Sequence, residues 1–144
     1  MTPRGVLCAA LIVAGLLGVP HGPADGEHEI HYRFIVLGYV KDGRGGPVGR
    51  TPVELIRDKT GFSYLGETDP DGFFLIVARL GDESAGEHLT VRVGRAATTI
   101  TARFDASNHA EHRGTRIDLL GETFQERATS FAPTLARFLA TESR

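Results

Sequence analysis

The chain has 144 residues, 41% of them hydrophobic, with a formal net charge of −2 and a single cysteine. This length suits one domain with one hydrophobic core. The sequence holds no basic patch and no basic residues interleaved with aromatic ones, and this argues against a nucleic-acid-binding protein.

An apolar run at residues 6–19 is the first feature along the chain. It follows a short segment with one positive charge, Arg4, and it is too short to cross a bilayer as a helix. Gly22-Pro23-Ala24 has the small-x-small pattern of a cleavage site. Residues 1–24 are therefore predicted to be a signal peptide for export to the periplasm or the extracellular space. An uncleaved anchor or a buried helix is the alternative. Cys8 lies near the start of the run, which argues against a lipid anchor and leaves the mature chain without a disulfide.

Residues 25–121 are predicted to form an antiparallel β-sandwich of seven strands. Short segments rich in β-branched and aromatic residues are separated by turn residues, and no helical pattern lies between them. The first strand is apolar on both faces, which predicts that both faces are covered. The predicted strands are 31–40, 51–57, 62–68, 73–79, 89–93, 99–104 and 115–120.

Two finer predictions concern one turn and the core. Asp69-Pro70-Asp71-Gly72 has the composition of a type I turn that ends with Gly72 at positive φ. Alternating apolar residues of the later strands are predicted to be buried together, with Thr99, Thr101 and Arg103 facing water. The predicted core residues are Phe74, Ile76, Leu89, Val91, Ile100 and Phe104.

Residues 122–144 are predicted to form an amphipathic helical tail. Thr123 and Glu126 have the spacing of a capping box, and apolar residues follow at helical spacing. Pro133 is expected to interrupt the helix, with Ser130 capping a second short one. The apolar stripe is predicted to pack on its own domain, with docking to a partner or a membrane surface as the alternative. The stripe consists of Phe124, Ala128, Phe131, Leu135 and Phe138.

A family pattern runs through the middle of the chain. Its most distinctive part is Thr68-Asp69 followed by Gly72 and Phe74, which closes one predicted strand and opens the next. With its flanking segments, this stretch resembles the carboxypeptidase regulatory-like domains, which are relatives of the transthyretin-like sandwiches. The resemblance implies a transthyretin-like or Ig-like sandwich that serves as an accessory, adhesive or ligand-binding module. The flanking segments are Gly38-Tyr39-Val40, Gly46-Pro47-Val48, Pro52-Val53-Glu54-Leu55 and Leu89-Thr90-Val91.

Two enzyme families of similar shape have motifs that this sequence lacks. Hydroxyisourate hydrolases end in Tyr-Arg-Gly-Ser, whereas residues 141–144 here are Thr-Glu-Ser-Arg. Intradiol dioxygenases hold iron with two tyrosines and two histidines, and Tyr32, Tyr39 and Tyr64 match no such motif. The prediction is therefore that the protein is not an enzyme, with a small transthyretin-like hydrolase as the remaining enzymatic alternative.

Histidines are the candidate site residues. If each strand crosses the sandwich once, the connections that carry them meet at one end of the molecule. Neutral imidazole is a good ligand for Zn²⁺ or Cu²⁺, and two His-x-x-His pairs on loops would supply several such ligands. The alternative is that these side chains are solvated in polar loops and that no cofactor binds. The candidate metal ligands are His28, His31, His88, His109 and His112.

Together these features predict an exported, non-enzymatic accessory or binding module of the cell envelope. Its partner would be an envelope protein or a small ligand. A periplasmic zinc- or copper-binding protein that uses the histidines is the second hypothesis.

Overall fold

A computed structural model describes residues 32–144 as two packed β-sheets with one α-helix against them. Short 3₁₀ turns lie at 82–84 and 128–130. Within the described residues, no helix has the length and apolar character needed to span a membrane. The main elements are β1 (Arg33–Lys41), β2 (Pro52–Arg57), β3 (Phe62–Glu67), β4 (Phe73–Arg79), β5 (His88–Val93), β6 (Ala96–Thr101), β7 (Arg113–Leu120), β8 (Thr123–Glu126) and α1 (Phe131–Glu142).

The strands form two sheets of four. Sheet I has the order β4-β1-β7-β8, and sheet II has the order β3-β2-β5-β6. The prediction of seven antiparallel strands is wrong on two counts, since residues 32–144 contain eight strands and β1 runs parallel to β7. β6 ends at the same end of the molecule at which β1 begins, since the ring of Phe104, three residues beyond β6, lies 6.1 Å from the ring of Phe34, and the connection 102–112 passes there from sheet II to sheet I. β7 therefore runs in the same direction as β1, and sheet I is mixed.

The main core lies between the two sheets and contains buried side chains from six strands. Five of the six predicted core residues are buried, and this confirms the predicted register of β4 and β5. Phe104 is only partly buried, because β6 ends at Thr101 and Phe104 lies in the connection that follows. Thr99 and Arg103 are exposed as predicted, whereas Thr101 is half-buried.

β1 is covered on both faces, as its sequence predicted. Phe34 and Val36 belong to the main core between the sheets. Ile35 and Leu37 belong to a second apolar cluster, which they form with α1. The central strand of sheet I is therefore buried from both sides.

α1 lies on the outer face of sheet I, and this confirms that its apolar side packs on its own domain. The approach is close, since a Cβ at Gly114 of β7 would lie 2.6 Å from ring carbons of Phe131. Pro133 stands in the first turn of the helix, where its missing N–H is not needed. Ser130 precedes the helix as predicted, but its side chain makes no capping hydrogen bond. The helical side chains of this cluster are Phe131, Leu135 and Phe138.

The predicted capping box at Thr123 is wrong. Thr123–Glu126 forms β8, which pairs antiparallel with the end of β7. Gly121, with φ 62°, begins the tight turn between the two strands. Phe124 then packs against the main core instead of contributing to a helical stripe. Because Phe124 is partly buried when residues 123–126 form a strand, the hairpin is favoured over the helix that the local spacing predicted.

The predicted turn before β4 is confirmed. The Gly72 N–H donates to the Asp69 carbonyl oxygen at 2.9 Å, and Gly72 has φ 79°. The Asp69 carboxylate accepts the N–H groups of Asp71 and Phe73 at 2.8 and 2.9 Å. A Cβ on Gly72 would collide with the carbonyl oxygen of Val40, so both backbone conformation and space require glycine here.

Candidate functional site

The predicted histidine site falls partly outside the described residues. His28 and His31 belong to residues 1–31, which the structure does not describe. His88 is the first residue of β5 and is exposed, while His109 and His112 are exposed residues of the connection between β6 and β7. The described histidines therefore lie at the end of the molecule where β5 and β7 begin.

Two of these histidines have polar neighbours at hydrogen-bonding distance. His88 Nδ1 lies 3.4 Å from the Thr101 hydroxyl, and His109 Nε2 lies 2.9 Å from Asp82 Oδ2. Among residues 32–144, no group of three or more His, Cys, Asp or Glu side chains is arranged to hold a metal ion. With His28 and His31 outside that range, the zinc or copper site remains a prediction.

Asp82 connects the 3₁₀ turn at 82–84 to the connection that precedes β7. Arg113 Nη2 donates to Asp82 Oδ1 at 2.7 Å, and its guanidinium carbon lies 4.2 Å from the centre of the Phe104 ring. Arg113 also donates to two carbonyl oxygens of the connection. Its hydrogen bond lowers the pKa of Asp82, with a smaller lowering from His109 and an opposing effect of burial. The Arg113 side chain is only 3% exposed. Its hydrogen bonds to Asp82 and to the two carbonyl oxygens hold the connection in place.

A second ion pair lies nearby, on the side of the molecule where β2 ends. Arg57 Nε and Nη2 donate to the two carboxylate oxygens of Glu87 at 2.8 and 2.7 Å. Arg57 Nη2 also lies 3.2 Å from the hydroxyl of Ser84, which is fully buried. The hydrogen bonds from Arg57 lower the pKa of Glu87 to about 2, against the opposing effect of burial. The guanidinium of Arg57 is thereby fixed in orientation.

Next to this pair is an open cleft of about 550 Å³, which we call the side cleft. It lies where the edge strands β3 and β4 of the two sheets come together. The backbone N–H of Arg79 donates to the Tyr64 hydroxyl at 3.2 Å and so links the two strands. The Phe62 ring stands 4.9 Å from the Tyr64 ring and is 59% exposed. The lining residues are Arg57, Thr60, Phe62, Ser63, Tyr64 and Arg79.

Sequence reasoning missed the side cleft and placed the candidate site on the histidines. One signal was available, since Phe62 and Tyr64 are two residues apart and so share one face of their strand. Arg57 lies opposite Phe62 in the β2–β3 hairpin, whereas Arg79 belongs to β4 of the other sheet and only the packing of the two sheets brings it to the cleft.

No family model matches this sequence, and no curated protein matches it significantly. Among the solved structures that are similar to part of it are three at 16% identity each. A crystal structure of (S)-allantoin synthase matches with a TM-score of 0.42, over 69% of this chain and 44% of that chain. The dioxygenase domain of a dioxygenase carbohydrate-binding protein fusion from the cellulolytic bacterium Streptomyces sp. SirexAA-E has a TM-score of 0.38, with 66% and 75% covered. Catechol 1,2-dioxygenase from Acinetobacter sp. ADP1, inhibited by bound mercury, has a TM-score of 0.38, with 65% and 46% covered.

The prediction that this protein is not an enzyme is contradicted to this extent: all three matched structures are those of enzymes, although at TM-scores of 0.42 and below they assign no activity to this chain. The non-enzymatic part of the predicted function is therefore withdrawn. The chain spans less than half the length of the matched allantoin synthase and catechol dioxygenase chains.

Proposed function

We propose that this protein is an exported binding module of the cell envelope and that it binds a small ligand in the side cleft. The observation that carries the proposal is the cleft itself, an open space of about 550 Å³ with a largely exposed aromatic ring at its edge. Binding sites for small molecules have volumes of roughly 300–1,000 Å³ and combine apolar walls with a few placed polar groups. The side cleft has this size and this mixture.

Two acidic groups at this end of the molecule have structural partners. Asp82 pairs with Arg113, and Glu87 pairs with Arg57, so their charges stabilise the connections between strands. Arg57 is the member of these pairs that also lines the side cleft. This favours the cleft over the ion pairs themselves as the place where a ligand is recognised.

The proposed family and location rest on the sequence. The motif from Thr68 to Phe74 supports a relationship to the carboxypeptidase regulatory-like domains and the transthyretin-like sandwiches. The apolar run at residues 6–19 and the small residues before Ala24 support export with cleavage. Mass spectrometry of the protein recovered from a secreting host is expected to find a mature chain that begins at Asp25, and a chain that retains residues 1–24 would contradict export by cleavage.

Ligand-observed NMR with a panel of organic acids, neutral sugars, amino acids and amines tests the binding function. At least one member is expected to bind the full-length mature chain and to lose that binding in Phe62→Ala. Leu65→Ala is the matched control, since Leu65 is a 79% exposed apolar residue of the same strand that does not line the cleft. The proposal is overturned if no member binds, or if the bound members are retained by Phe62→Ala.

A further inference from the structure

We propose that the side cleft is a site for small aromatic carboxylates, meaning a planar ring that carries a carboxylate group. This inference deepens the proposed binding function and rests on it. Two features of the lining support it, the paired aromatic rings of β3 and the guanidinium groups of Arg57 and Arg79.

The charge of the cleft favours an anion. Arg57 and Arg79 line it, and Lys59 lies in the turn next to its rim. The negative charges of Glu87 and Glu83 interact with Arg57 and offset part of this positive charge. A guanidinium is a planar donor that matches the two oxygens of a carboxylate, so this lining recognises a carboxylate better than a neutral or cationic group.

Arg57 is already oriented before a ligand arrives. Its Nε and Nη2 are held by Glu87, and Nη2 also contacts the buried Ser84, whereas Nη1 takes no part in these bonds. A side chain that is fixed in advance loses little conformational freedom when a ligand binds. The ion pair with Glu87 therefore positions Arg57 for a ligand as well as stabilising the fold.

The aromatic rings favour a planar ligand. Phe62 and Tyr64 are inclined at 66° with their ring centres 4.9 Å apart, and this leaves the Phe62 ring 59% exposed to the cleft and to water. A third ring can contact an exposed ring in the offset or edge-on arrangements that aromatic groups prefer. A ligand ring therefore covers apolar surface that is otherwise hydrated.

The polar side chains of the lining are three hydroxyl groups and two guanidinium groups, with no carboxylate or amide among them. Thr60 Oγ1 accepts the N–H of Phe62 at 3.2 Å, and the Ser63 hydroxyl donates to Glu54 at 2.7 Å. The Tyr64 hydroxyl accepts the N–H of Arg79. Each of these hydroxyls uses part of its hydrogen-bonding capacity within the protein, so the lining offers a polyol fewer open positions than three free hydroxyls would. Charge and ring contact are left as the recognition elements.

The test is a titration of the ¹⁵N-labelled full-length mature chain with benzoate, followed by amide chemical shifts. Benzoate is expected to shift amides of residues 57–64 and 79, and benzyl alcohol, which keeps the ring without the charge, is expected to bind at least tenfold more weakly. Arg79→Gln is expected to weaken benzoate binding at least tenfold. Arg92→Gln is the matched control, since Arg92 is half exposed, pairs with Glu54 and does not line the cleft.

Melting temperatures of both variants, measured beside the titration, show that each remains folded. If benzyl alcohol binds in the cleft as tightly as benzoate, or if Arg79→Gln binds benzoate as the original chain does, the carboxylate assignment is overturned while the binding function stands. If neither benzoate nor any member of the ligand panel shifts the amides of the cleft, both proposals fail.

Discussion

Replacement of Glu87 by Gln tests whether the Arg57–Glu87 pair stabilises the fold. The pKa of this carboxyl lies at about 2 instead of its ordinary 4.5, and the main cause is the hydrogen bonding from Arg57. At about 1.4 kcal/mol per pKa unit this difference corresponds to about 3 kcal/mol of stabilisation of the charged form. Partial exposure of Arg57, whose side chain is 21% accessible, screens the pair. We therefore expect Glu87→Gln to reduce the free energy of unfolding by about 2 kcal/mol at pH 7.

The pH dependence gives a sharper test than the size of the loss. Because the pKa of Glu87 is lowered in the folded state, the stabilisation is present above the unfolded-state value near 4.5 and is lost as the pH falls from there towards 2. The difference between the original chain and Glu87→Gln is therefore expected to shrink across that window. Denaturant unfolding at a series of pH values from 7 to 2.5 measures it.

The exposed pair between Glu54 and Arg92 supplies the control. Its side chains are 29% and 50% exposed, and we expect Glu54→Gln to change the free energy of unfolding by less than about 0.5 kcal/mol. Two results would refute the reasoning about Glu87. One is a Glu87→Gln protein as stable as the original at pH 7, and the other is a difference that stays constant down to pH 2.5.

Three further substitutions test the packing. Gly114→Ala is expected to cost about 3 kcal/mol or more, since the new methyl group collides with the carbonyl oxygen of Ile35 in the neighbouring strand as well as with the Phe131 ring, and an unchanged melting temperature would contradict this close packing. Gly72→Val is expected to destabilise the protein by about 2 kcal/mol or more, because φ is 79° and the space is filled, and thermal unfolding at the original temperature would rule the strain out. Phe74→Ala, at a 3% exposed core position, is expected to cost about 3–5 kcal/mol in denaturant unfolding, while Leu65→Ala changes it little; equal effects would disprove the placement of Phe74 in the core.

Much of the fold was predictable from strand-period alternation and turn chemistry. The two apolar faces of β1 predicted its cover on both sides, and Asp69–Gly72 predicted its turn. The start of β6 was less predictable, because Ala96 and Ala97 carry no strong strand signal. Gly94, at φ 56°, allows a tight turn that pairs Ala96 directly with Val93.

The strand at residues 123–126 and the side cleft could not be predicted from the sequence, because both depend on contacts between residues that are distant in the chain. Thr123 to Glu126 fits a helix start by its local spacing, and only the pairing with β7 and the packing of Phe124 select a strand. Likewise, Arg79 of β4 becomes a neighbour of the rings on β3 through the meeting of the two sheets. Local sequence rules describe neither of these contacts.

The position of β1 also bears on how the chain reaches its folded state. This strand has β4 along one edge, β7 along the other, sheet II beneath it and α1 above it. As the chain emerges from its N-terminal side, β1 appears before every one of these partners, and the cover of Ile35 and Leu37 arrives with Phe131 and Leu135. β1 is unpaired with two apolar faces until β4 emerges, and its outer face stays uncovered until α1 emerges, and exposed segments of this kind aggregate. A chain truncated before residue 131 is therefore expected to be insoluble. The full chain is expected to need a chaperone that holds it during synthesis or transport until α1 has emerged.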